Sequence, residues 1–444
     1  MRSCFNWPWV ESQVSASTAA WGECAAPHSL ALPQFSPRDQ QKREDAYDEA
    51  LLAVERQAKQ IRRKGTASAD ARRRIVDVFP RFASVALGLE DDAIHTLNDG
   101  FLPIGTQFAQ WAKRFDPALS IADTTQACRN VWTACGLQPL MGDGMELTPA
   151  IIGYSLLYPY SDNYLDGEGT STVHKLEFSS RFRDRLCGLG IPPRNLHETK
   201  VWAMVRLIEE QLPRPQFPQV YDSLLAIHQA QEDSIAQSKR GATLNEVDLL
   251  RLSCAKGGTS VLADACLSHG LLSDIEARFA FDWGFLLQLG DDVQDVQDDL
   301  KHGSATLFSR AAEAGLPLDN LVRQLLVFCE CVANEAHALP RGDPAFKRLL
   351  RTSWQSLILM AVARSYRFFS PAFLAEMESL SPFRFHFQRT RHKRLSGRRG
   401  LYRVLFESFV ASEDTDLSHL PSPENWLGRS LICDRPEVAF ASIG

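Results

Sequence analysis

Apolar residues recur at steps of three and four along almost the whole chain, and alternating β-branched runs are nearly absent. Such a pattern gives each segment one sticky stripe at helical spacing and leaves no pleated face, so it predicts an all-α protein built as one large bundle. Helical candidates fall at 68–88, 91–115, 120–136, 147–165, 172–187, 197–211, 217–238, 244–268, 272–300, 303–314, 317–337, 343–368 and 371–379. A charged helix precedes them: SPRDQQKREDAYDEALLAVERQAKQIRRK offers Ser36 as N-cap, Pro37 at the first helical position and a basic end at Arg62 to Lys64. It reads as exposed. No internal repeat of fixed period is present.

At 444 residues the chain is long enough for about three average domains or for one large domain with extensions. Residues 1–38, rich in Ser, Ala and Pro and without a sustained period, read as a poorly ordered extension that the fold does not need. Residues 39–380 form the helical domain, and 381–444 a basic segment with a tail. Within it, residues 384–403 carry eight Lys or Arg and no acid. A solvated basic face and a flap over an anionic ligand are both open readings. Nucleic acid is not an expected partner, because the chain has 48 Lys+Arg against 54 Asp+Glu and shows no reader module.

No apolar run approaches the roughly 20 residues of a membrane span, and Asn6, Pro8 and Glu11 break any leader-like apolar stretch, so a cytoplasmic location is expected. Ten cysteines include no C-x-x-C pair, which argues against a zinc site or a disulfide framework. Phosphate-loop, dinucleotide-loop and G-x-S-x-G motifs are absent too.

Two acidic motifs carry the chemistry. In DIEARFAFDWGFLLQLGDDVQDVQDDL, residues 274–300, an apolar stripe runs through Phe279, Trp283, Leu286, Leu289, Val293, Val296 and Leu300. Asp291, Asp295 and Asp299 stand four apart on a face roughly opposite Val293, with Gln288 one turn earlier. Alone, this is a solvated surface stripe as readily as a site. The second motif ends AIIGYSLLYPYSDNYLDGEG, residues 150–169, a segment apolar nearly all round until Asp162 and Asp166 appear one turn apart. Carboxylates on a buried helix need a partner or a metal, and an acceptor-only pair suits Mg²⁺. An EF-hand reading fails, since Tyr164 and Val173 occupy ligand positions.

DNYLD (162–166) and GDDVQDVQDDL (290–300), whose leading aspartates are 129 residues apart, resemble the paired aspartate motifs of class I isoprenoid synthases: prenyl diphosphate synthases, squalene and phytoene synthases, and terpene cyclases. Gln288 is similar to the glutamine before the second motif of trans-prenyl diphosphate synthases. The resemblance, over about residues 145–370, implies a helical bundle with a central apolar cavity. It also implies a Mg²⁺ cluster, three ions with substrate bound, held by Asp162 and Asp166 from one helix and Asp291, Asp295 and Asp299 from another. Those ions would bind the diphosphate of an allylic prenyl substrate, with Asp162, Asp166, Asp291 and Asp295 as the catalytic set. Asp292, Asp298 and Asp282 suit supporting or solvated positions equally well. For the diphosphate, the resemblance offers Lys256, Lys301, Arg251, Arg364 and Tyr366, with Arg206 a further basic candidate; Ser365 interrupts the Arg-Tyr pair of bacterial cyclases. Tyr154, Tyr158, Phe281, Phe285 and Gln288 are expected on the cavity wall, although core packing explains the aromatics as well.

Chain elongation needs a second diphosphate pocket, and neither a basic G-K-x-x-R-type segment nor an R-R-G after the first motif is present. The order of expectation is therefore a terpene cyclase, then squalene-type or other prenyl transfer, then elongation. A non-catalytic helical interaction protein is the reading from another class, and a homodimer is left open.

Overall fold

The computed structural model describes residues 4–25, 32–65, 67–166, 171–238, 244–412, 415–423 and 426; the side chains of Tyr158, Asp162 and Asp166 lie outside that description. Among the described residues the protein is all-helical, with no strand. Helix α1 (Trp7–Glu23) precedes the long α2 (Pro37–Lys64), and the short α3 (Ala69–Val76), α4 (Phe79–Phe82) and α5 (Asp91–His95) lead into α6 (Leu102–Phe115). The body follows as α7 (Ile121–Met141), α8 (Pro149–Asp166), α9 (Thr172–Leu186), α10 (Leu196–Gln211), α11 (Pro218–Ser238), α12 (Glu246–His269) and α13 (Asp274–His302). Next come α14 (Leu307–Glu313), α15 (Asp319–Ala338), α16 (Pro344–Arg364) and α17 (Pro371–Ser379), and then α18 (Phe385–Gly397) and α19 (Arg399–Val410).

Helix α12 is the axis of the bundle. It is buried nearly all round from Cys254 to Leu267, and α7, α8, α11, α13 and α1 pack against it. Small residues allow the closest approach: a Cβ placed on Gly257 would lie 2.4 Å from the Gly284 carbonyl, and one on Gly284 only 2.1 Å from the Gly257 carbonyl. Helices α12 and α13 therefore cross backbone to backbone, a contact no larger residue permits. Capping fixes where α13 runs, from a reciprocal Ser273–Glu276 box to Gly303, which ends the helix at φ 72°.

The expected helices 68–88 and 91–115 are each broken. Pro80 opens α4 and Gly88, at φ 71°, ends the π-type turn after it; a second π-type turn over Thr96–Phe101 precedes Pro103, whose ring has no N–H to continue a regular helix.

The N-terminal expectation is corrected outright. Asn6 caps α1, and Phe5, Val10, Val14 and Trp21 are buried in the main core. Trp9 meets Phe281 edge-on at 5.9 Å, while Trp21 packs 6.3 Å from Phe285 and 5.9 Å from Phe328. The apolar positions of α1 repeat at four, three and four through Val10, Val14, Ser17 and Trp21, and Ser17 interrupts the stripe because its hydroxyl donates to the buried Asp282.

The basic 384–403 segment is corrected as well. It folds as α18 and the start of α19 and lies along α2, whose acids Glu44 and Glu55 are almost fully buried. Arg384 pairs with Glu44, Arg391 with Asp48, and Arg394 (2.8 Å) and Arg398 with Glu55. Ala58, Ile61, Leu401 and Leu405 form a satellite core beneath these pairs. Helix α2 is thus half an interface and not an exposed helix.

Burial pushes the Glu55 carboxyl up, but Arg394 and Arg398 outweigh it and hold it below its ordinary value. Its stabilisation is present above the ordinary carboxylate range and is lost as pH falls through the lowered folded value. Glu55→Ala is expected to cost about 2 kcal/mol at neutral pH, the scale of charge-assisted hydrogen bonds, with a smaller penalty in acid. Urea unfolding at both pH values measures this, and an equal penalty at both would contradict it.

Candidate functional site

Hydrogen bonds between helices set the axial register. Asn130 on α7 donates to Ser155 on α8 (3.4 Å) and to Asp264 on α12 (3.0 Å), and Ser268 donates to the Ala134 carbonyl (2.8 Å). Helices α7 and α8 are therefore antiparallel, and α7 and α12 parallel. Position 162 lies seven residues beyond Ser155, and Lys256 eight residues before Asp264, so both stand about 11–12 Å from the Asn130 level at 1.5 Å per residue. They stand at the same end. On α13 that end carries the acidic row, because Ser253 donates to Asp292 at 2.8 Å and Arg129 reaches Asp291 at 3.4 Å.

Five carboxylates crowd residues 291–299. Asp292 is buried and accepts from Ser253 and from Gln288, each at 2.8 Å. It ties α13 to α12, and burial pushes it up to about 6 against those two donors. Gln288, expected on the cavity wall, is used in this tie. Burial also raises Asp291, with Arg129 opposing and Asp295 reinforcing the shift. Asp299 rises to about 7, chiefly through burial and then through repulsion from Asp292, Asp295 and Asp298, with Lys256 opposing. Asp282 is remote: it sits under α1 with Ser17 and is pushed by burial to about 6.

The cations divide clearly. Arg364 joins the row, 3.9 Å from Asp295 and 4.0 Å from Asp298. Ser365 fixes that end of α16, since its hydroxyl donates to the Val293 carbonyl at 2.8 Å. The Lys256 side chain is half-buried; among the described residues its ammonium makes no ion pair or hydrogen bond, while its charge opposes the upward shifts of Asp291, Asp292 and Asp299. The remaining assignments change. Arg251 is held by Glu11 (2.9 Å) and Ser15 (3.2 Å) of α1, and Arg206 stacks on Trp426 at 4.7 Å. Tyr366 turns to Arg389, 4.3 Å over its ring, and Arg367 donates to its hydroxyl. Lys301 is exposed.

Next to this end lies a cavity of about 40 Å³, room for a few water molecules and well below the range of small-molecule sites. Its walls come from α7, α8, α9, α11 and α12, with Tyr154, Leu157 and Ser161 of α8 leading up to position 162. Tyr154 is on the wall of this cavity. Phe281 and Phe285 are not: they point away from the cavity into the aromatic contacts with α1, because α13 lies behind α12 here. His228 lines the wall instead, and its i, i+4 spacing to Glu232 on α11 was the available sequence signal.

Among the described residues no three His, Cys, Asp or Glu side chains are gathered as a metal site. The donor types nonetheless fit a hard dication: the row offers oxygen-only ligands, and Asp291 and Asp299, raised by burial and by neighbouring carboxylates, are groups whose charge a bound cation would balance. No protein-family model matches the chain, and no curated protein matches it in sequence.

Proposed function

We propose that the protein is a Mg²⁺-dependent class I terpene synthase that ionises an allylic prenyl diphosphate and lets the carbocation cyclise or be quenched. What supports this reading is that positions 162 and 166, Lys256 and the 291–299 row lie toward the same end of a helical bundle. Asp162 and Asp166 would hold metal from α8, and Asp291, Asp295 and Asp299 from α13. The bound ions would neutralise charge on the departing diphosphate. Lys256, whose charge reaches Asp291, Asp292 and Asp299, supplies a fixed positive charge to the same group, and Arg364 supplies a second from across the row. Asp292, Gln288 and Ser253 keep α13 in register with α12. Tyr154, Leu157 and Phe182 wall the small cavity, and these walls would have to part to admit a hydrocarbon chain beside their aromatic faces.

Incubating the protein with C10 to C25 prenyl diphosphates and Mg²⁺, and measuring hydrocarbon and alcohol products with released diphosphate, tests the reading. Products that require two diphosphates would assign squalene-type transfer instead, and no turnover of any substrate would leave the non-catalytic helical protein. Lys256→Ala is expected to raise KM and to lower kcat by roughly 10²-fold, the scale of losing one preorganised charge at a leaving group. Unchanged kinetics in that variant would remove Lys256 from the site.

A further inference from the structure

The C-terminal end of α1 meets α15 along a single stripe. Gln324, Phe328 and Cys331 follow one another on α15 at steps of four and three, which places them on one face of that helix. All three touch α1. The Gln324 amide donates to the Trp21 carbonyl at 2.7 Å, Phe328 meets the Trp21 ring edge-on at 5.9 Å, and the Cys331 sulfur lies 3.9 Å from that of Cys24. Trp21 is in the last turn of α1 and Cys24 is its C-cap. The two thiols differ in setting. Cys24 is 4% exposed and donates to the Ala20 carbonyl at 3.2 Å, and burial together with the neighbouring Cys331 pushes it up to about 12, so it rests protonated. Cys331 is exposed. Cys329, two residues earlier, falls on another face of α15 and is fully buried.

We propose that Cys24 and Cys331 are a reversible redox modification site, at which hydrogen peroxide converts the two thiols to a cystine that staples α1 to the bundle. The solvent-facing Cys331 reacts first: its thiolate attacks one peroxide oxygen, the O–O bond breaks, and the departing hydroxide takes up the thiol proton as water, leaving a sulfenic acid. The Cys24 sulfur then attacks that sulfur. The S–S bond forms as the S–O bond breaks, and the Cys24 proton leaves with the hydroxide as a second water. Two thiols lose two electrons in all, and one peroxide is reduced to two waters. A dithiol reverses the link by exchange. The sulfurs must close from 3.9 Å to a bond of about 2 Å by side-chain rotation, between helices that Trp21, Gln324 and Phe328 already hold together. The link joins positions 307 residues apart, so it withdraws freedom chiefly from the unfolded chain. It also pins the helix that covers Phe281, Phe285 and Asp282.

The test reduces the full chain, treats it with hydrogen peroxide, alkylates the remaining thiols and maps the peptides by mass spectrometry. One pair of peptides should be joined through Cys24 and Cys331, lighter by two hydrogens, and dithiothreitol should separate them. The melting temperature of the linked chain should exceed that of the reduced chain by roughly 5–10 °C, the scale for closing a long loop in a large domain. Cys331→Ser alters only an exposed side chain and should lose both the link and the shift. Cys24→Ala should leave Cys331 as a sulfenic acid that dimedone traps. Peroxide that links a different pair, or that carries Cys331 to a sulfinic acid while Cys24 stays free, overturns the site. A melting shift that survives in Cys331→Ser, or a Cys24–Cys331 link that leaves the melting temperature unchanged, overturns the staple. None of these readouts involves turnover.

Discussion

Asp295→Asn is expected to lower Mg²⁺-dependent diphosphate release by about 10³-fold with the helical content and the melting transition intact. The substitution keeps the size of the side chain and removes its charge from a row of five carboxylates, so folding loses little; relieved repulsion on Asp299 even favours it. Asp162→Asn should cost as much. The double variant should cost far less than the product of the two, because residues that hold one cluster fail together. Two carboxylates one turn apart on one helix bind Mg²⁺ weakly, and a diphosphate spanning both motifs removes that weakness. Full turnover in EDTA, or near-normal turnover in the double variant, would end the class I reading.

Trp21→Ala is expected to destabilise the fold by about 3–5 kcal/mol, the usual cost of truncating a buried aromatic. At roughly 2–4 °C per kcal/mol for large domains, this is a fall of order 10 °C in Tm. Trp21 is 4% exposed and covers both Phe285 and Phe328. Deleting α1 entirely should be worse, since it uncovers Phe281 and leaves Asp282 without the Ser17 hydroxyl. Thermal unfolding followed by circular dichroism measures both, and a truncated chain that melts like the full one would contradict the packing described for α1.

The helices of the body were legible in the sequence because each carries its own stripe and its own punctuation, as α13 does between Ser273 and Gly303. The acidic row was legible for the same reason: spacing of four on a helix is a local property. What could not be read was which surfaces meet. Phe281 and Phe285 share a helix with the acidic row, but their face belongs to α1, and nothing local says so. Arg251 sits five residues from Lys256, yet one pairs with Glu11 of α1 and the other faces the acidic row of α13. The basic 384–403 stretch looked available only because its acidic complement lies some 340 residues earlier, at Glu44, Asp48 and Glu55. The reading of α1 as dispensable had a local cause: a single serine in its stripe, placed there for a buried aspartate, hid a heptad-like pattern.

The backbone crossing of α12 and α13 makes the separation of Lys256 from the aspartate row a dimension set by three missing side chains. A methyl group at Gly257, Gly258 or Gly284 would meet atoms at 2.4 Å or less, and the helices would have to part by roughly an ångström or more to admit it. Chemistry at a leaving group tolerates less than that before rates drop by orders of magnitude. The gauge of the candidate site is therefore cut at residues that have no side chain to touch a substrate, two of them directly after Lys256. Variation at these glycines should act like a shim in a vernier, resetting the spacing of every charged group above it at once while leaving each of those groups chemically unchanged.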